Sequence, residues 1–154
     1  MPTFAPADPA FEDRVRDSFA RLTLMRTIGA RLVKIEPGEV DIDMAVRDDL
    51  TQQHGYVAAA IVTALVDTAC GYAAMSLMPA GANVLTVEYK VNFMAPARGE
   101  RLLAHGRVVK PGRALTVCAG EVYAVGGAAP KAVAAMLGTM VTVQDAAEVS
   151  EGGP

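Results

Sequence analysis

The chain predicts an α+β fold in which an antiparallel sheet wraps round one long central helix. Three observations carry this expectation. Residues 57–78 form an apolar segment whose sole charge is Asp67, the signature of a helix buried on every side. Strand-like runs flank it, two before and four after. Turn signals rich in Gly and Pro separate successive runs. One apolar helix and an antiparallel sheet that needs covering bury each other's surfaces.

The elements follow in order. Residues 1–10 are Pro- and Ala-rich and predict a flexible arm. Residues 11–24 place Phe11, Val15, Phe19 and Leu22 at helical spacing and predict one amphipathic helix. Residues 30–35 and 39–46 alternate with period two around Pro37 and Gly38, which predicts a β-hairpin. A polar loop, 47–56, leads into the apolar helix, which ends near Pro79 and Gly81. Strands are expected over 84–94, 101–110, 114–125 and 133–143, with a tight turn at Pro111-Gly112. A single domain therefore spans 11–144, and the polar residues 145–154 predict a disordered tail.

Composition narrows the function classes. The 154 residues suit one domain with a full core, and 52% hydrophobic content excludes disorder. A net charge of −3 gives no general attraction to nucleic acid. The apolar segment is long enough to span a bilayer. Asp67 at its centre would be costly there, its flanks lack a basic asymmetry, and the strands need a core, so no membrane role is expected. Cys70 and Cys118 lie in apolar stretches without metal or redox spacing, which predicts reduced core thiols and a cytoplasmic protein. The N-terminus lacks a basic region followed by an apolar run, as a secretory signal would have. No metal and no cofactor is expected.

Two segments carry a family resemblance. Residues 52–74, with Asp67-Thr68-Ala69 at their centre, resemble the helix motif of PaaI-type hotdog acyl-CoA thioesterases. Residues 86–97 resemble that family's following strand. The likeness covers about 20–143 and implies the hotdog fold, thioester hydrolysis and an acyl-CoA substrate. It makes Asp67 the catalytic carboxylate, matches Gln52 to the family's Asn or Gln, and matches Thr86 to its strand Ser or Thr. One departure stands out. The family's His-Gly-Gly, nine residues before the acid, is replaced by Ala58-Ala59-Ala60. His54 lies close by, outside the matching position.

Thioester hydrolysis needs a water, a base for its proton, and donors for the developing oxyanion. A helix N-terminus offers free amides, and residues 55–57 supply no capping side chain. The Ala59 amide, matched to the family's glycine, is the expected oxyanion donor; the bland alternative is capping by water or by the preceding loop. Asp67 admits two readings from sequence alone. It is a base or nucleophile, or it is half of a structural ion pair with Lys90 or an arginine. Gln52 and Thr86 are candidates for orienting the water. Lys90, Arg98, Lys110, Arg113 and His54 are the candidate substrate-binding side chains. Ala59 and Asp67 are eight residues apart, ~12 Å along one helix, so one carbonyl cannot touch both. A shared site therefore predicts a homodimer, or a homotetramer built from dimers, with each site drawing on two chains. Two rivals remain: a non-catalytic acyl-CoA-binding module, favoured by Ala58-Ala59-Ala60, and a hotdog hydratase, which would need a histidine with an acid in the active site, whereas neither His54 nor His105 fits a recognised pairing with Asp67.

Overall fold

A computed structural model describes residues 3–144; the expected tail, 145–154, lies outside the described residues. The N-terminal helical segment divides in two, α1 over Phe11–Arg21 and α2 over Thr23–Ile28. This corrects the single helix expected over 11–24. Leu22 breaks it with an extended backbone (φ −78°, ψ 92°), and α2 then delivers Met25 and Ile28 to the core. Gly29 ends α2 at φ 74°, a left-handed conformation that glycine adopts without a Cβ penalty. Within the segment expected as a flexible arm, Phe4 packs against the core and Asp8 is buried.

The hairpin follows as β1, Ala30–Glu36, and β2, Glu39–Ala45. A short 3₁₀ turn, Asp48–Leu50, interrupts the polar loop. The central helix α3 spans Ala59–Met75, shorter than the apolar run because Val57 is held in a bridge to Thr51 and residues 76–78 form a turn. Four strands complete the fold: β3, Ala82–Phe93; β4, Arg101–Lys110; β5, Leu115–Val125; β6, Lys131–Gln144. All pairings are antiparallel, in the order β1-β2-β4-β5-β6-β3. β1 and β3 are the edges.

The sheet curls round α3, which buries Val62, Leu65, Val66, Ala69 and Cys70 against Ile42, Met44, Leu102 and Val122. Two glycines set how closely helix and sheet approach. A Cβ on Gly106 would stand 2.5 Å from the Ala69 carbonyl oxygen and from the Cys70 nitrogen, and one on Gly120 would stand 2.5 Å from a Val66 methyl. Both cysteines are buried and free, and the Cys118 thiol donates to the Cys70 carbonyl at 3.5 Å. Burial pushes the Cys118 thiol up to about 12. Arg14 ties α1 to the far end of α3, donating to the carbonyls of Met75, Met78, Pro79 and Ala82 while pairing with Asp8. These carbonyls include orphans at a helix C-terminus that a guanidinium satisfies. Among the described residues no helix is long and apolar enough to cross a membrane.

β3 is unlike the other strands. Of ten exposed large hydrophobic side chains among the described residues, five lie on β3 or directly after it: Leu85, Val87, Tyr89, Phe93 and Met94. They occupy a strand with one unpaired edge. An open, apolar edge of this kind is a template for pairing with another strand.

Candidate active site

The start of α3 is pinned from two sides. The Val57 amide donates to Ala97 at 2.8 Å and the Ala58 amide to Leu50 at 2.9 Å. Ile61 and Val62 donate back to the Ala58 carbonyl as the helix begins. No side chain caps the helix, and among the described residues the amides of Ala59 and Ala60 donate to no protein acceptor. Ala59 is exposed and lines a cleft of about 450 Å³ with Gln52, Tyr56, Phe93 and Pro96. The bland alternative of capping by the preceding loop is therefore excluded for these two amides. Replacing Gly by Ala leaves the donors in place, because the amide belongs to the backbone.

Gln52 organises that loop. Its side-chain oxygen accepts from the amides of His54 at 2.6 Å and Tyr56 at 3.3 Å. The oxygen is occupied, and Gln52 lines the cleft with a side-chain NH₂ that has no acceptor among the described residues. His54 shapes the turn through its backbone and is exposed.

Asp67 sits two turns further along α3, half-buried, and lines a different cleft of about 310 Å³ with Leu22, Gly71, Tyr72 and Thr86. The Thr86 hydroxyl donates to Asp67 Oδ1 at 2.8 Å. Burial pushes the Asp67 carboxyl above its ordinary range, and the Thr86 hydrogen bond offsets part of that rise. Among the described residues Asp67 has no ion-pair partner. Register explains why Lys90 cannot serve. Thr86 is opposite the buried Met140, whereas Lys90 is opposite the exposed Leu137, so a bulge between Thr86 and Glu88 leaves Lys90 on the outer face of the sheet. There it donates to Asn92 at 3.0 Å. Among the described residues of one chain, neither Lys90 nor an arginine forms the structural ion pair with Asp67.

The remaining candidate side chains disperse. Arg98 lines a third cleft beside the Ala59 end of α3. Lys110 flanks the β4–β5 turn, and Arg113 lines a hollow with Ala74, Met78 and Pro79 at the opposite end of α3. Tyr56, Phe93 and Lys131 were missed from sequence. Nothing in local spacing marks them, because each reaches its cleft through tertiary packing. His105 pairs with Asp41 at 2.5 Å across β2 and β4. Its neighbour Gly106 faces α3, so His105 points away from Asp67 on the outer face.

One helix wrapped by a six-stranded antiparallel sheet is the hotdog architecture. Comparison with known proteins agrees. The chain belongs to the thioesterase superfamily, whose family model matches residues 54–131, just over half of the chain. A thioesterase family protein from Silicibacter pomeroyi is 48% identical, with 88% of this chain and 99% of that chain covered and a TM-score of 0.86. A Halobacterium salinarum protein that carries the provisional description of an esterase is 32% identical over 61% of this chain; the match spans 65% of that protein's length. The E. coli PaaI protein, from a phenylacetic acid degradation operon, shares the fold at a TM-score of 0.76 with 18% identity, covering 86% of this chain and 93% of that one.

Proposed function

We propose that this chain hydrolyses acyl-CoA thioesters in a site shared between two copies, with Asp67 from one and the Ala59 amide from the other. The observation that carries the reading is a separation. Ala59 and Asp67 line different clefts of one chain, ~12 Å apart along α3, and the apolar free edge of β3 runs beside both. Antiparallel pairing of β3 with its copy about a twofold axis brings the start of each α3 towards Asp67 of the other. Such an isologous contact also pairs the open backbone edge of β3.

The chemistry then follows from the groups available. The thioester carbonyl accepts from the free Ala59 amide, where the positive end of the helix dipole favours developing negative charge. Asp67, held by Thr86, takes the proton of a water as it adds to the carbonyl carbon. A carboxylate raised by burial is a better base near neutral pH than an ordinary aspartate. The tetrahedral intermediate expels the CoA thiolate, which regains a proton, and releases the free acid. Direct attack by the Asp67 carboxylate is the nucleophilic variant of the same site. The Gln52 amide group is suited to orient the water or the thioester. The hydratase reading needs a histidine with an acid in the active site; the His105–Asp41 pair lies on the outer face, away from Asp67, and among the described residues His54 pairs with no acid. The non-catalytic reading loses its main support because Ala58-Ala59-Ala60 keeps the free amides. A cytoplasmic location belongs to the same proposal, in keeping with two free, buried cysteines.

The test is a panel of aromatic and aliphatic acyl-CoAs with thiol release as readout. Turnover of at least one member, with Asp67→Asn reduced by about 10²–10⁴-fold, is expected. A wild-type protein that binds acyl-CoA and releases no thiol would return the reading to a binding module.

A further inference from the structure

We infer that Arg98 and Lys131 form the seat for the phosphate groups of CoA, at the outer end of the cleft that begins at Ala59. The inference rests on the acyl-CoA reading above and goes beyond it by assigning the substrate's charged end to two side chains. The two clefts adjoin. The 450 Å³ cleft at Ala59 and a neighbouring one of about 350 Å³ share Tyr56 and Pro96. Ala97 lines the first and Arg98 the second. Val133 lines the first and Lys131 the second, ~7 Å further along β6 at the rise of an antiparallel strand. A ligand with its thioester at the Ala59 amide and an extended arm along Tyr56 and Pro96 would emerge between these two cations.

The chemistry of the second cleft suits an anion. Its lining includes both cations and no carboxylate, on a chain whose net charge is −3. Most other cations of the chain are already engaged. Arg14, Arg16, Arg31, Lys34, Arg47, Arg101 and Arg107 all pair with acids. Arg98 and Lys131 have no ion-pair or side-chain hydrogen-bond partner among the described residues. Both are exposed, so neither loses a protein partner when a phosphate arrives. A guanidinium offers a bidentate fork to phosphate oxygens and an ammonium a compact point charge, a combination that fits several phosphates better than one carboxylate.

Lys110 and Arg113 are likewise unpaired among the described residues. They flank the turn beyond the other end of α3, and the hollow that Arg113 lines shares no residue with the cleft at Ala59.

The experiment uses the Arg98→Gln/Lys131→Gln double variant of the full chain. Two quantities are read: the preference for acyl-CoA over the same acyl group on pantetheine, as a ratio of kcat/KM values, and the dissociation constant of CoA itself by calorimetry. The expected result is a fall of about tenfold or more in both the preference and the CoA affinity, the equivalent of ~1.4 kcal/mol. Wild-type CoA affinity should also weaken with rising salt, more steeply than that of the variant. Equal CoA affinity in the two proteins, with an unchanged preference, would overturn the assignment, as would a wild type with no affinity for CoA. A wild type that binds CoA through these two residues yet hydrolyses no thioester would uphold this assignment and remove the catalytic reading, so the two can fail separately.

Discussion

Ala59→Pro is the sharpest perturbation of the shared site, because it replaces one amide hydrogen with a ring carbon at a position where the helix tolerates proline. Ala59 is the first residue of α3, where proline is tolerated because its missing N–H has no partner within the helix. Among the described residues that amide donates to no protein acceptor, so no internal hydrogen bond is lost. Ala58 already has φ −59° and ψ 139°, the extended backbone that the residue before a proline prefers. The thermal midpoint should therefore hold or rise slightly, in line with the ~0.4–1 kcal/mol that proline contributes by restricting the unfolded chain. Turnover should fall by about 10²–10³-fold, the usual cost of one lost oxyanion donor. The variant also locates the site. A heterodimer of one Ala59→Pro chain and one Asp67→Asn chain, purified through two different tags, would hold one damaged site carrying both changes. Its other site would combine the intact Asp67 of the first chain with the intact Ala59 amide of the second. Thiol release should return to about half the wild-type rate per dimer. A heterodimer as inactive as its parents would place both groups in one chain and refute the geometry. A stable Ala59→Pro protein with wild-type turnover would refute the role of the amide.

Three further outcomes follow from the structure. Asp67→Asn keeps an oxygen to accept from Thr86, so it should lose turnover while keeping its fold. The carboxyl is raised by burial, so it contributes most to stability when protonated, and stability is lost as pH rises from the ordinary aspartate range through the raised value. The asparagine variant should match or exceed the wild-type thermal midpoint at neutral pH, with the gap closing at acid pH, and wild-type turnover should fall as pH drops through the same window; a midpoint well below wild type at pH 7 would contradict the burial argument. Gly106→Ala forces a methyl against the Ala69 and Cys70 backbone, which should cost about 1–3 kcal/mol and lower the midpoint by several degrees in calorimetry. Val87→Glu places a charge on the exposed apolar edge strand; sedimentation should show more monomer, and activity should fall in parallel, whereas an active monomer would dissolve the shared-site model.

The sequence by itself determined the architecture and the central acid. An uncharged run broken by Asp67 cannot be solvated along its length, so it had to become the helix that the strands enclose. Every strand limit lies within two residues of the expected one, because period-two alternation and the Pro and Gly turns are local signals. The break at Leu22 was not legible, since Met25 and Ile28 earn their burial from packing against β1 and the core rather than from spacing within 11–24. Tertiary structure alone decided the partners. It gave Asp67 a hydroxyl from Thr86 instead of a cation, because the β3 bulge turns Lys90 to the outer face. It left the amides at Ala59 open, because backbone bonds from Val57 and Ala58 pin the helix start without a cap. It joined Arg98 to Lys131, 33 positions apart in the chain, through a cleft between a loop and a β-turn. Elements form from contacts close in sequence, whereas a site is assembled from groups that meet only after the sheet has curled, and no local periodicity encodes that meeting.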